Sequence, residues 1–324
     1  MTDETNMLHQ LDFSYLYLGH ARIGDRFINA PGTAVHPLPG HPQLQGELHR
    51  LKDACRRAWR GATDFKVDCE GASYRVSTMD TVDGEVFVLR RLHNKVASLA
   101  ELGVPPAYIR QLMRRDLSGL VIVCGAPKAG KTATASAFVR ERLVAHGGIA
   151  LTAEDPIELP LEGRHGDGVC YQTVPGTDRV AALRATLCLG ARMVYVGALD
   201  DAPLALEMLQ AALDGHLLIT TMRADDIGRA VTRLHALGTR VLDAASMQGL
   251  IADGLAGVLH QRLVPGAGAG PRKLETQLFM LRDAQSARNH VRHGRYDELA
   301  TEIRQQMMSM IHSNALAERM GATR

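Results

Sequence analysis

A short run of residues has the types and spacing needed to bind phosphate groups. Residues 125–132 read Gly-Ala-Pro-Lys-Ala-Gly-Lys-Thr and directly follow the apolar run Gly119–Cys124. Glycines let the backbone bend until successive N–H groups point into one concavity that can hold phosphate oxygens. Lys131 would place a positive charge at the β- and γ-phosphates, and the Thr132 hydroxyl would coordinate Mg²⁺. The segment predicts that ATP and Mg²⁺ bind here, with nucleotide contacts from Gly125, Ala126, Pro127, Lys128, Ala129, Gly130, Lys131, Thr132 and Ala133.

Acidic residues follow the next predicted strand. Glu154 and Glu158 come after the apolar segment Gly148–Thr152. Carboxylates at a strand end near a phosphate loop can hold Mg²⁺ through water or orient an attacking nucleophile. The alternative is that they cap a helix or carry solvated charge, and Asp155, which precedes a proline, can also start a turn. Glu154 and Glu158 are therefore candidate catalytic residues, and Glu154 joins Thr132 as a candidate metal ligand.

Other polar residues near predicted strands are weaker candidates. His216 begins an apolar segment and is a candidate for sensing the γ-phosphate, with a hydrogen-bonded structural histidine as the equal alternative. Arg223 follows the same segment and can contact a phosphate, although a guanidinium cannot shuttle protons at neutral pH. Arg75, Arg90 and Arg91 are candidates for reaching the nucleotide from the N-terminal region. The alternative for these three is the charged outer face of an antiparallel sheet.

The segments around the phosphate loop alternate between strands and helices, which predicts a mostly parallel sheet covered by helices. The predicted strands are Gly119–Cys124, Gly148–Thr152, Met193–Gly197, His216–Thr221 and Leu274–Leu281. The predicted helices are Thr132–His146, Thr177–Leu189, Pro203–Asp214, Asp225–Leu237, Thr239–His260 and a tail over Tyr296–Met320, with Gly249 and Gly254 as alternative points at which Thr239–His260 is broken. The Gly-rich and Pro-rich stretch Val264–Pro271 is predicted to be a flexible connector.

The N-terminal region reads as a separate mixed α/β domain. Apolar residues at helical spacing predict a helix over Leu44–Trp59, and Arg22–Pro42 reads as loops. The alternating segments predict three strands of one antiparallel sheet, at Phe65–Cys69, Tyr74–Thr78 and Glu85–Leu92. The predicted organisation is a first domain over 1–92, a linker over 93–99 and a second domain over 100–324.

Composition sets limits on the class of protein. The 324 residues are 46% hydrophobic and 22% charged, and the formal net charge is +2, so no strong attraction to nucleic acid or to an anionic membrane is expected. A content of 4% aromatic residues and the absence of a basic stripe argue against a DNA-handling protein. Five cysteines without C-x-x-C spacing favour a reducing compartment. With neither a secretory signal nor an apolar run of about 18 residues, the expected location is the cytoplasm.

The order of these segments resembles the secretion and pilus-motor ATPases, which include PilT-like retraction motors and the GspE-type ATPases of type II and type IV secretion. Beyond the phosphate loop, the matching boxes are acidic Glu154–Glu158, Ala181–Leu187 before a strand, Val194–Gly197 in the Walker B place and Asp214–His216 in the histidine-box place. Any one box alone is a weak signal, whereas four in this order and spacing are specific.

The resemblance implies a fold and a set of partners. It implies an N-terminal PAS-like sensing domain, a RecA-like P-loop NTPase core with a helical C-terminal tail, and a homohexameric ring. It implies that ATP hydrolysis drives pilus assembly, pilus retraction or substrate export, with the ring docked on an inner-membrane platform protein at the cytoplasmic face. Arg75 and Arg90 would be the nucleotide-sensing arginines of the first domain.

Departures from the family pattern concern hydrolysis. The family has Gly-Glu at the end of the Walker B strand, where this chain has Gly197 and Ala198, and alanine can neither accept a proton nor orient water. Arg223 stands in the place of the second histidine of the histidine box, and Leu189–Arg192 replaces acidic residues before the Walker B strand. Asp200 and Asp201 are displaced candidates for the missing glutamate.

Two functional hypotheses therefore remain. One is a motor ATPase that is slower than its relatives. The other is a nucleotide-binding ring or regulatory subunit, impaired in hydrolysis, that works beside an active paralogous ATPase.

Overall fold

The computed structural model describes residues 7–11, 13–28, 34–92, 95–265 and 272–321, with only the backbone described for 9, 10 and 311–321. The chain divides into two compact units, Met1–Lys95 and Val96–Arg324. Their boundary falls within the predicted linker 93–99, of which residues 93 and 94 lie outside the described residues. Val96 and Leu99, which the sequence places in that linker, are buried in the core of the second unit.

The first unit consists of a sheet and helices. Its helices are α1 (Met7–Gln10) and α2 (Pro42–Ala58). Its strands are β1 (Tyr15–Leu18), β2 (Arg26–Ile28), β3 (His36–Pro37), β4 (Asp64–Cys69), β5 (Ala72–Thr81) and β6 (Gly84–Leu92). The strands form one antiparallel sheet in the order β3-β2-β1-β6-β5-β4.

The apolar face of α2 forms the core of this unit. Leu44, Leu48, Leu51 and Cys55 recur at helical spacing and are buried against the inward side chains of the sheet, such as Tyr74. The predicted helix and the predicted antiparallel strands β4, β5 and β6 are confirmed. The prediction of loops over Arg22–Pro42 is wrong where β2 and β3 form, because the short pairing of these strands leaves little apolar alternation to recognise.

The second unit contains the remaining elements. Its strands are β7 (Gly119–Cys124), β8 (Gly148–Ala153), β9 (Gly163–His165), β10 (Gly168–Thr173), β11 (Met193–Ala198), β12 (Leu217–Met222), β13 (Leu255–Val264) and β14 (Lys273–Met280). Its helices are α3 (Pro106–Leu112), α4 (Lys131–His146), α5 (Arg179–Cys188), α6 (Ala202–Leu213), α7 (Ile227–Gly238), α8 (Ala244–Gly254), α9 (Gln285–Arg292) and α10 (Leu299–Gly321), with a 3₁₀ turn at Tyr296–Glu298.

The strands of the second unit form a single sheet in the order β14-β13-β7-β12-β11-β8-β10-β9. The six strands from β13 to β10 are parallel to their neighbours, and the outer strands β14 and β9 are antiparallel. The carboxyl ends of β7, β12, β11 and β8 therefore lie side by side at one edge. Ligands of open parallel sheets bind at this edge.

Helices cover both faces of this sheet, so β7 is buried on both sides. Leu120 and Ile122 point to the core under α6, α7 and α8, whereas Val121 and Val123 point to the core under α3 and α4. A parallel strand buried on both faces reads as a continuous apolar run. The mostly parallel, helix-covered sheet predicted from the sequence is confirmed.

An unbroken helix over Thr239–His260 is wrong, whereas the alternative break at Gly254 matches the end of the observed helix. The chain is helical only in α8, which ends at Gly254, and residues 255–264 then form β13 between β14 and β7. Because the first five residues of β13 are all buried, their apolar run has no alternation that would distinguish a central strand from a helix. The strands β9 and β10 and the helices α3 and α9 were also missed. The predicted connector Val264–Pro271 includes residues 266–271, which lie outside the described residues.

Candidate nucleotide site at the carboxyl edge of the sheet

The predicted phosphate loop lies between β7 and α4. Gly125 to Gly130 form the turn, with the side chains of residues 126–128 exposed. Lys128 has a φ of 63° and Gly130 a φ of 81°. Positive φ angles alternating with ordinary ones turn successive backbone N–H groups toward one concavity, and the N-terminus of α4 adds its own N–H groups to the same side. The local sequence therefore builds an anion-binding turn.

Gln261 of β13 supports this turn from the neighbouring strand. Its side chain is fully buried, and its Nε2 donates a hydrogen bond of 2.6 Å to the carbonyl oxygen of Ala129. A Cβ on Gly125 would lie 2.3 Å from the backbone oxygen of Gln261, so only glycine fits there. The Oε1 of Gln261 is buried and has no hydrogen-bond partner. Sequence reasoning missed Gln261 because it lies just beyond the helix predicted over Thr239–His260 and was placed in no element.

Lys131 is held against the loop. Its Nζ donates hydrogen bonds to the carbonyl oxygens of Gly125, at 3.1 Å, and Ala126, at 2.7 Å. Burial lowers the pKa of Lys131, and the positive charge of Arg223 lowers it further, while Glu158 acts in the opposite direction. Lys131 therefore lies within reach of the charges of both Arg223 and Glu158 at this edge of the sheet.

Glu154 is a buried carboxyl group at the end of β8. It is 2% exposed, and burial raises its pKa to about 7, with Glu158 contributing in the same direction. Its Oε1 accepts a hydrogen bond of 3.1 Å from Nε2 of Gln172, which also donates to the carbonyl oxygen of Leu159. Near neutral pH this group can therefore either hold or release a proton. Gln172, on a strand absent from the sequence prediction, was not recognised as its partner.

Tyr195, on β11, is a buried side chain close to Thr132 at the start of α4. Burial raises the pKa of Tyr195 well above its usual value, and the negative charges of Glu154 and Glu158 raise it further. The phenol therefore stays protonated beside the residue that the sequence assigns to Mg²⁺. Sequence reasoning gave Tyr195 no role.

The end of β11 carries no acidic side chain, unlike the end of β8. Ala198 is exposed there, and its carbonyl oxygen accepts a hydrogen bond of 2.5 Å from Nη2 of Arg179. Nη1 of Arg179 donates to Oδ1 of Asp200 at 2.7 Å and lies 3.5 Å from Oδ2 of Asp201. Asp201 also caps α6 by accepting a hydrogen bond from the backbone N–H of Leu204. Asp200 and Asp201 thus have structural partners, which argues against their replacing the missing glutamate.

His216 is not brought to the phosphate loop. It precedes Leu217, which pairs with Gly119 at the start of β7, so His216 lies at the amino edge of the sheet. Its Nδ1 contacts the carbonyl oxygen of Ala211 at 3.2 Å. A six-residue strand separates the two edges, a distance of roughly 20 Å. The prediction that His216 senses the γ-phosphate is therefore wrong, because the whole of β12 intervenes between them.

The arginine candidates of the first unit have partners within that unit. Arg75 forms an ion pair with Asp64, with 3.1 Å between Nη2 and Oδ2. Arg90 is opposite Arg75 on the neighbouring strand. Arg91 donates a hydrogen bond to the carbonyl oxygen of Leu8, and its guanidinium lies 4.7 Å from the centre of the Phe13 ring. These contacts of Arg91 stabilise the first unit itself.

The residues at the carboxyl edge fit a nucleoside triphosphate with Mg²⁺. The turn presents backbone N–H groups and exposed loop residues, Lys131 supplies an ammonium, and Thr132 supplies a hydroxyl at the start of α4. Within the described chain, no three side chains of His, Cys, Asp or Glu gather as a metal cluster. Nor does any described helix have the length and apolar character required to cross a bilayer.

Comparison with known proteins places these features in a family. A family model described as type II/IV secretion system protein matches residues 60–322. The type II secretion system protein HxcR of Pseudomonas aeruginosa is 36% identical over 269 residues, which cover 81% of this chain and 55% of that protein. The type IV pilus assembly ATPase PilB of Thermus thermophilus is 31% identical over 209 residues, which cover 63% of this chain and 22% of that protein. The chain thus spans about half the length of HxcR and less of PilB.

A solved structure has the same fold. A crystal structure of the pilus retraction motor PilT with bound ADP has a TM-score of 0.76 at 21% sequence identity, covering 96% of this chain and 92% of that one. At this identity the likeness concerns the fold alone, and it confirms the α/β class predicted from the sequence.

Proposed function

The chain belongs to the type II/IV secretion system protein family, and we propose that it is an ATP-binding motor ATPase of a type IV pilus or of a type II or type IV secretion apparatus. The observation that carries the proposal is the bent turn after β7, which has Lys131 at its end and is subject to the charges of Glu158 and Arg223. Charges of both signs are thus arranged around a turn that can hold a triphosphate.

In this proposal each residue has a defined task. The backbone N–H groups of residues 125–132 and the ammonium of Lys131 bind the phosphates, for which Lys131 turns away from the loop carbonyls. Thr132 and Glu154 would hold Mg²⁺, which supplies positive charge against the developing charge on the γ-phosphate. Glu158 would orient the attacking water, and Arg223 would contact the γ-phosphate. Glu154, with a pKa near 7, would accept or return a proton.

We further propose the domain roles and the assembly. The antiparallel sheet of the first unit, covered by α2, is consistent with a PAS-like sensing domain, and the parallel sheet of the second with a RecA-like core extended by α10. Arg75 and Arg90 would reach the nucleotide of a neighbouring subunit, for which Arg75 would exchange Asp64 for phosphate. Six copies would form a ring, held by an inner-membrane platform protein at the cytoplasmic face.

Phosphate release and particle mass test this proposal. The purified full chain should release phosphate from Mg²⁺-ATP, and the release should disappear in Lys131→Ala. Particles measured in the presence of ATP should have six times the mass of one chain. Failure to bind nucleotide would reject the whole proposal, and a monomer that hydrolyses ATP would reject only the ring.

The hydrolysis-impaired subunit is the second candidate, favoured by the end of β11. The side chain of Ala198 offers no proton acceptor there, and its carbonyl oxygen accepts a hydrogen bond from the guanidinium of Arg179. Loss of a general base typically costs about 10²- to 10⁴-fold in rate. Nucleotide binding without turnover above the Lys131→Ala background would favour this candidate, in which the chain supports a ring beside an active paralogous ATPase.

A further inference from the structure

Arg179 is an unusual first residue for a helix. It follows Asp178, the residue that caps α5 by accepting a hydrogen bond from the backbone N–H of Ala181. Positive charge at a helix N-terminus is unfavourable because the helix dipole is positive there. Arg179 therefore needs acceptors outside its own helix, and it finds them at the end of β11.

The contacts of Arg179 tie α5 to the turn between β11 and α6. Nη2 contacts the carbonyl oxygen of Ala198 at 2.5 Å, and Nη1 contacts Asp200 at 2.7 Å and Asp201 at 3.5 Å. The side chain of Arg179 is 28% exposed, so the guanidinium is largely enclosed by this turn. A single exposed ion pair would contribute little, whereas three acceptors around one planar fork fix its position.

The position of this guanidinium matters for hydrolysis. The Cβ of residue 198 is three bonds from the carbonyl oxygen that Arg179 contacts, so the carboxylate of a glutamate at this position is long enough to reach the guanidinium. An adjacent guanidinium stabilises the ionised carboxylate and makes it a weaker base. Arginine cannot act as the base itself, because it remains protonated in proteins.

We propose that Arg179, bound to the carbonyl oxygen of Ala198, is an inhibitory contact that keeps the end of β11 unable to activate water even if a carboxylate stands at residue 198. Two features then slow hydrolysis at this strand end: residue 198 has no acid, and a guanidinium is bound to its backbone. This inference rests on the proposed binding of ATP at the phosphate loop.

A double-mutant series tests the inference. Phosphate release is compared among the full-length wild type, Ala198→Glu, Arg179→Leu and the Ala198→Glu/Arg179→Leu double variant. In the double variant the introduced carboxylate accepts a proton from water. The water oxygen bonds to the γ-phosphorus, the bond to the β,γ-bridging oxygen breaks, and ADP and inorganic phosphate form. We expect less than about threefold gain for Ala198→Glu and at least about tenfold more for the double variant.

Two matched controls separate the cation from other effects. Ala198→Gln/Arg179→Leu has the same shape without a proton acceptor and should show none of the gain. Ala198→Glu/Asp200→Asn relieves the crowding of carboxylates but keeps Arg179, and it should stay as slow as Ala198→Glu. Rescue by Asp200→Asn would mean that crowded negative charge, not Arg179, is the obstacle, and would overturn the inference.

The remaining outcomes are also decisive once nucleotide binding has been measured. If Ala198→Glu alone gains as much as the double variant, or if the double variant binds ATP normally but gains nothing, Arg179 is not an inhibitory contact. If Arg179→Leu misfolds, Arg179→Gln replaces it, since glutamine keeps the stem and a neutral donor. Absence of nucleotide binding in the wild type would instead reject the proposed function itself.

Discussion

Two strand ends of the same sheet, separated only by β12, differ in how completely they are equipped. The end of β7 has the bent turn, the glycines and Lys131, with Gln261 supporting it from behind. The end of β11 has Ala198 and, instead of an acid, the guanidinium of Arg179. Binding and hydrolysis thus depend on different strand ends, and one can be weakened while the other is kept.

The two strand ends differ in how well they tolerate side-chain substitutions, because they use different chemical groups. Phosphate binding at β7 relies mainly on backbone N–H groups, which survive most side-chain changes as long as Gly125 and Gly130 keep the turn. Proton transfer at β11 relies on a single side chain, which one substitution removes. A site can therefore keep its affinity for a nucleotide after its rate of ATP hydrolysis has fallen.

The largest effect is expected at the end of β7. Lys131→Ala should weaken the binding of Mg²⁺-ATP by about 100-fold, or about 2.8 kcal/mol, because the ammonium that faces the phosphates is lost. Calorimetry with purified protein measures this directly. The control is Lys273→Ala, which removes the same charge from an exposed position on β14. Equal binding by both variants would mean that the turn is not the nucleotide site.

The next prediction concerns Glu154, beside the end of β11, and its effect on the pH dependence of stability. Its carboxyl group binds its proton more tightly in the folded chain, with a pKa of about 7, than in the unfolded chain. The free energy of unfolding should therefore fall as the pH rises from about 4.5 to about 7, by at most about 3 kcal/mol, and then stay level. Glu154→Gln cannot ionise and should lack this decline.

Urea denaturation across this pH range measures the difference. Glu162→Gln is the control, since it alters an exposed carboxylate that also contacts Gln172 but leaves Glu154 in place. Identical pH profiles for Glu154→Gln and the wild type would show that Glu154 is not held in its protonated form, and its proposed part in proton transfer would then lose its support.

A moderate effect is expected behind the phosphate loop. Gln261→Leu removes the hydrogen bond to Ala129 and leaves that carbonyl oxygen unsatisfied, which should cost about 1–2 kcal/mol in the free energy of unfolding. Gln261→Glu should cost more, because a buried carboxylate cannot donate to a carbonyl oxygen. Denaturation and ATP titration of both variants measure the effect. Unchanged stability and unchanged ATP affinity in Gln261→Leu would show that β13 does not support the phosphate loop through this side chain.

The smallest effect is expected at the amino edge. His216→Ala should change ATP affinity by less than about twofold, or about 0.4 kcal/mol, because His216 lies beyond the far end of β12. The same nucleotide titration tests this expectation. A tenfold loss would mean that the two edges of the sheet are coupled and that the comparison of strand ends is incomplete.

Much of this architecture could be predicted from the chain. The helix α2 and the hairpin strands of the first unit carry clear period-3.6 and period-2 patterns, and β7, β8, β11 and β12 are apolar runs between polar turns. β13 could not be recognised because its buried residues lack alternation, and it was merged with α8. The role given to His216 failed because neighbours in a motif were assumed to be neighbours at the site.

The sequence by itself determined the phosphate turn, because its chemistry is local: two glycines, Lys131 and Thr132 lie within eight consecutive positions. Only the tertiary structure decided what surrounds the turn. Gln261 meets Ala129 across 132 residues, and Arg179 meets Ala198 across 19. Such contacts depend on strand order and on which helix packs beside which strand end, and no short segment of the chain contains that information.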